Sequence, residues 1–124
     1  MRPLFITIDT EGDALWDDPA IDEIKTENTL WIPKFQELCE KYGFVPIWLT
    51  DYEIISDERF VNYIKNKNHA GLCEVGIHVH ARNNPPLCQL ENEKEKGAAY
   101  LIEYPKDIMR EKFFFLKKLI EERL

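Results

Sequence analysis

Apolar residues along this chain fall into short β-branched runs that alternate with longer stretches of helical spacing. Residues 4–8 are one such run. An acidic, glycine-containing loop follows, which predicts a first strand ending at Asp9. Over 26–42, Leu30, Ile32, Phe35, Leu38, Cys39 and Tyr42 recur three and four apart, and Gly43 stands where a left-handed C-cap would fall. Pro33 is tolerated only in a first turn, so the helix proper is expected to start near Leu30 to Ile32. Residues 44–50 are nearly all apolar, as in a strand covered on both faces, with Pro46 at its start or on an edge. Ser56 or Asp57 then caps a helix running to about Lys67, with Phe60, Val61 and Ile64 on its inner face. A third strand over 72–77 leads into His78, and 81–103 reads mostly as loop, with Pro85-Pro86 and a charged stretch from 91 to 96. Pro105 opens a last helix whose apolar face is Ile108, Met109, Phe113, Leu116, Leu119 and Ile120.

The order β-α-β-α-β-loop-α predicts a single α/β domain over 1–124, with parallel strands and right-handed crossovers. Three parallel strands make a small sheet, and parallel sheets are usually larger and covered on both faces. The chain also stops on a helix, where a βα repeat would next supply a strand. The expectation is therefore the N-terminal part of a larger (β/α) barrel-like domain, or a sheet completed by another copy. Exposed strand edges favour self-association.

Composition narrows the function classes. A hydrophobic fraction of 44% suits a globular core, not a disordered chain. Sixteen basic against 23 acidic residues give a net charge of −7, which argues against nucleic acid and anionic lipid as partners and suits a site that gathers a cation. No apolar run reaches membrane-spanning length, and the first is too short for a secretion signal. Cys39, Cys73 and Cys88 are odd in number and widely spaced, so neither a disulfide framework nor a CxxC zinc knuckle is expected. These features point to a cytoplasmic protein.

Two clusters carry candidate chemistry. The first is Asp9-Thr10-Glu11-Gly12-Asp13, followed by Asp17 and Asp18, just beyond the first strand. Asp9 and Glu11 are two apart in an extended segment and can face one side, while Gly12 permits a tight turn. Such carboxylates can bind a cation, or one can stay free as a general base. The plainer alternative is an acidic turn that caps the next segment. The second cluster is His78-Val79-His80 at the end of the third strand. Histidines two apart on a strand point the same way and can reach one metal, for which zinc comes first and cobalt, nickel or iron are alternatives. A lone HxH is more often a pair of satisfied histidines. Parallel pairing places both clusters on one rim, and that tips the balance toward metal.

Other residues carry weaker signals. Arg82 and Asn84 follow the HxH and are candidates for binding sugar hydroxyls or a carboxylate, with a capped structural loop as an equal reading. Asp13 and Trp16 are candidate substrate contacts in the acidic loop, Trp16 by stacking on a sugar ring. Trp31 and Trp48 lie on element patterns and are expected in the core, as is most of Phe113-Phe114-Phe115. His69 is expected at the surface, and Cys88 has no histidine motif beside it.

Taken together, residues 5–13 (FITIDTEGD), 74–80 (EVGIHVH) and Asn84-Pro85-Pro86 resemble the polysaccharide-deacetylase superfamily, also called NodB-homology or carbohydrate esterase 4. The similarity is closest to a branch with a TIDTEGD start and an HxH second motif. Residues 35–43 and 100–105 look like that branch too, so the resemblance runs along nearly the whole chain. It implies a distorted (β/α)7 barrel and metal-dependent removal of an N-acetyl group from a carbohydrate. By position, Asp9 matches the family's general base toward the attacking water, and His78 and His80 its metal ligands. Two departures stand out. Thr10 follows Asp9 where the common motif has a second Asp, so Glu11 or Asp13 takes the acidic ligand's place. The common second motif spaces its histidines four apart, and that position here is Arg82. Family members also continue into motifs supplying a substrate-binding Arg, an oxyanion donor and a catalytic His acid. None of these follows here, so little or no turnover is expected from this chain alone.

Overall fold

The computed structural model describes residues 4–13, 15, 24–88 and 100–124. Three strands form one parallel sheet in the order β1-β2-β3: β1 (Thr7–Thr10), β2 (Ile47–Thr50) and β3 (Glu74–Ile77). Between them lie a 3₁₀ turn (Glu27–Trp31), α1 (Ile32–Tyr42), the short α2 (Tyr52–Ser56) and α3 (Glu58–His69), with α4 (Lys106–Arg123) last. The alternating α/β order matches the sequence pattern.

Local chemistry explains most boundaries. Pro33 sits in the first turn of α1, and Gly43 ends that helix at φ 74°, a conformation that a Cβ would strain. Of the two candidate caps for α3, Asp57 is the one used, its carboxylate accepting from the Arg59 N–H. Asp51 does the same for α2, a short helix over residues that the hydrophobic pattern left unassigned.

Register assigns the two faces of the sheet. Ile8, Trp48 and Val75 lie abreast, as do Thr10, Thr50 and Ile77, and this face carries the helices. Its core joins Ile32 of α1, Trp48, Phe60, Val61 and Ile64 of α3, and Leu116 and Ile120 of α4. Ile54, Ile55, Ile64 and Leu116 are fully buried, each contributing about 1.5–3 kcal/mol by removal from water. The opposite face presents Thr7 and Asp9, Ile47 and Leu49, Glu74 and Gly76. Ile47 and Leu49 stay half-buried, so β2 is covered on one face among the described residues, not on both as its apolar run suggests.

Helix faces differ from the simplest hydrophobic reading in two places. On α1 the buried residues are Ile32, Gln36 and Cys39, whereas Phe35, Leu38 and Tyr42 are exposed, as is Leu30 in the preceding 3₁₀ turn. Gln36 earns its interior position by bonding: its Oε1 accepts from the Trp48 indole N–H at 2.9 Å and its Nε2 donates to the Leu72 carbonyl at 3.0 Å. Trp31, expected in the core, is 63% exposed and lies beneath the Lys34 ammonium. On α4 the buried stripe is Lys112, Leu116 and Ile120, while Phe113, Phe114 and Phe115 are all exposed. A buried lysine leaves no hydropathy signal.

Candidate metal centre

Both candidate clusters lie at the carboxyl ends of the two outer strands, β1 and β3, on the same rim of the parallel sheet. Glu11 follows β1 directly, and His78 follows β3, its N–H donating to the Thr50 carbonyl at 2.9 Å and so extending the parallel pairing by one residue. His80 is two residues further on the same side. The Glu11 Oε2 lies 3.2 Å from His78 Nε2 and 2.7 Å from His80 Nε2. The two imidazole rings are 4.6 Å apart and inclined at 66°. One ligand atom from each of the three residues falls within 4.8 Å of the other two.

This donor set fits a divalent ion. Two imidazole nitrogens and a carboxylate oxygen are the ligands zinc takes most readily, with room for one more. At ordinary zinc bond lengths, tetrahedral ligand atoms stand about 3.3 Å apart; Glu11 is at about that separation from His78 and inside it from His80. All three side chains are partly shielded, with 11% exposure at His80, 25% at His78 and 32% at Glu11. Asp9 stands apart from the three: it is 64% exposed, and its Oδ1 lies 3.8 Å from His78 Nδ1, the nitrogen facing away from Glu11.

The main chain around Glu11 is tightly held. Its carbonyl accepts from Asn28 Nδ2 at 2.6 Å, and the Gly12 N–H donates to Asp51 Oδ2 at 2.8 Å. Gly12 serves by its smallness here: a Cβ would run into Ile24 Cγ2. Asp51 is fully buried, and burial foremost, then the negative charge of Glu53, pushes its pKa up to about 7. Burial likewise raises Glu53.

The remaining candidates are placed elsewhere. The Asp13 carboxylate accepts the N–H groups of Glu27 and Asn28 and so caps the 3₁₀ turn. Arg82 reaches across to donate to the Leu15 carbonyl at 3.0 Å, tying the two rim loops together. Asn84, considered as a sugar contact, is 1% exposed, and its amide donates to the carbonyls of Pro85 and Lys112. Trp16, Asp17 and Asp18 lie outside the described residues, as does the charged stretch 91–96. His69 is exposed and pairs with the Leu124 carbonyl.

Sequence reading passed over Asp51, Asn28 and Lys112. The first had a usable signal: like Asp9, it is an acid at the carboxyl end of a strand in a parallel sheet. Lys112 is fully buried, with its ammonium donating to the Asn84 and Pro86 carbonyls at 2.8 and 2.7 Å and standing 4.7 Å from the Tyr104 ring centre. Burial lowers its pKa. No helix among the described residues is long and apolar enough to cross a membrane. No family model, curated protein or solved structure matches this chain.

Proposed function

We propose that this chain carries the metal-holding half of a hydrolytic site resembling that of the polysaccharide deacetylases, acting on an N-acetylated carbohydrate. The observation that supports this reading is the convergence of Glu11, His78 and His80 from two separate strand ends. His78 and His80 would hold a divalent ion through Nε2, and Glu11 through Oε2. When bound, such an ion polarises an acyl oxygen and acidifies water. By its position in the resembled motif, Asp9 would be the base that takes a proton from an attacking water. Its place on the Nδ1 side of His78 also suits a hydrogen bond that fixes the ring with Nε2 turned toward the ion. The three-stranded sheet would then be the beginning of a larger (β/α) barrel in a cytoplasmic enzyme.

A second reading, a metal-binding module without turnover, draws on the histidine inventory. The chain has three histidines. Two sit in the triad and the third pairs with the Leu124 carbonyl, so none remains as the acid that would protonate the leaving amine. The two readings separate in one experiment. Protein purified without chelators is expected to hold about one transition metal per chain, absent from a His78→Ala/His80→Ala variant. Acetate release from N-acetylglucosamine oligomers then marks the hydrolase, and metal without acetate marks the module. Metal-free wild type would sink both.

A further inference from the structure

We infer that Asp51 is a positioning residue for Glu11, fixing that carboxylate for cation binding through the peptide groups on either side of it; this rests on the metal reading above. Asp51 grips both neighbours of Glu11. Its main-chain N–H donates to the Thr10 carbonyl at 3.1 Å, and its Oδ2 accepts from the Gly12 N–H at 2.8 Å. Its other oxygen accepts from the Ile54 N–H at 2.8 Å, which anchors the clamp in α2. The side chain has no exposure to solvent, so these bonds meet little competition from water. Among the described residues the Glu11 carboxylate bonds only to the two histidines, so its hold on the scaffold comes through the main chain.

The energetic argument is one of preorganisation. Fixing a residue's backbone costs about 1–2 kcal/mol of conformational entropy. The folded chain has already met that cost at Glu11 through bonds to Asp51 and Asn28, so an arriving ion need order only the side chain. Groups that orient metal ligands from behind typically change affinity by about 10–100-fold when removed. Asp51 orients a carboxylate ligand through the main chain, and the same scale applies.

Asp51 has two duties, and substitution can part them. Asn and Ser both cap helices well, so Asp51→Asn and Asp51→Ser preserve the bond from Ile54. With its oxygen on Ile54, the Asn amide turns a donor toward the Gly12 donor, and Ser is too short to reach Gly12 while also capping. Cobalt(II) is the probe, titrated into chelator-treated wild type and both variants, with visible absorption reporting coordination and circular dichroism reporting the fold. The expected result is a folded Asp51→Ser chain whose cobalt affinity falls by about tenfold or more, with an altered cobalt spectrum. Asp51→Asn is expected to behave alike, and if it fails to fold the Ser variant decides alone. Wild-type affinity and spectrum in either folded variant would overturn the inference and leave Asp51 a helix cap. Cobalt absent from the wild type would instead overturn the metal reading, and the positioning role with it.

Discussion

Two polar clusters bracket the segment from His78 to Pro86, and each solves the problem of charge in a different way. At the near end, a carboxylate and two imidazoles lean on one another with lone pairs suited to a cation from solution. At the far end the cation belongs to the chain: the Lys112 ammonium sits among two carbonyls and the Tyr104 ring. The far cluster carries its own cation and anchors the loop to α4. The near cluster is self-consistent without an ion, since each imidazole Nε2–H can donate to Glu11, yet it gains most from one. The lesson is that the same loop is held at one end by a cation of the chain and carries at the other a cluster that could hold an ion.

Removing the internal cation should have the largest effect. Lys112→Met keeps the length of the side chain but leaves the Asn84 and Pro86 carbonyls buried without their donor, at about 1–3 kcal/mol each. A loss of about 3 kcal/mol or more is expected in urea unfolding. A loss under about 1 kcal/mol would mean that water replaces the ammonium and that the contrast between the clusters is false. The external cation should act next. Zinc at a hundred times its dissociation constant should stabilise the wild type by about 2.7 kcal/mol, and should do nothing for His78→Ala/His80→Ala. Equal stabilisation of both would place the ion elsewhere.

The last test concerns pH and sharpens the picture of the near end. Burial holds the Asp51 pKa near 7, far above its unfolded value of about 3.9. The native state thus keeps a proton that the unfolded state releases. The stability this contributes is full below about pH 4 and is lost as pH rises toward 7. Relative to Asp51→Asn, metal-free wild type should become steadily less stable across that window in urea melts. A constant difference would mean that the carboxyl stays ionised throughout, relieved by its N–H donors.

Much of the scaffold was legible in the sequence because it is written in local signals. Gly43 and Asp57 marked helix ends by their own conformational and bonding preferences, and Phe60, Val61 and Ile64 marked the inner face of α3. The rim was legible for a topological reason: parallel strands put residues 9–11 and 78–80 at the same end. What escaped was polar and interior. Gln36 and Lys112 are buried by virtue of partners far along the chain, and a hydrophobic pattern assigns such residues to the surface. Trp31 failed in the opposite sense, since helical spacing gave it a place on an element but not on the inward side of it.

Glu11 and His80 are 69 positions apart, and that separation bears on the order in which the molecule assembles. Closing so long a segment is entropically slow unless intermediate structure shortens it, and parallel strands supply that only after both crossovers have formed. The triad is therefore expected to be among the last features to come together in folding. A cation would find no matching grip on the nascent chain and would leave the refolding rate nearly unchanged, while lengthening the lifetime of the finished molecule against unfolding.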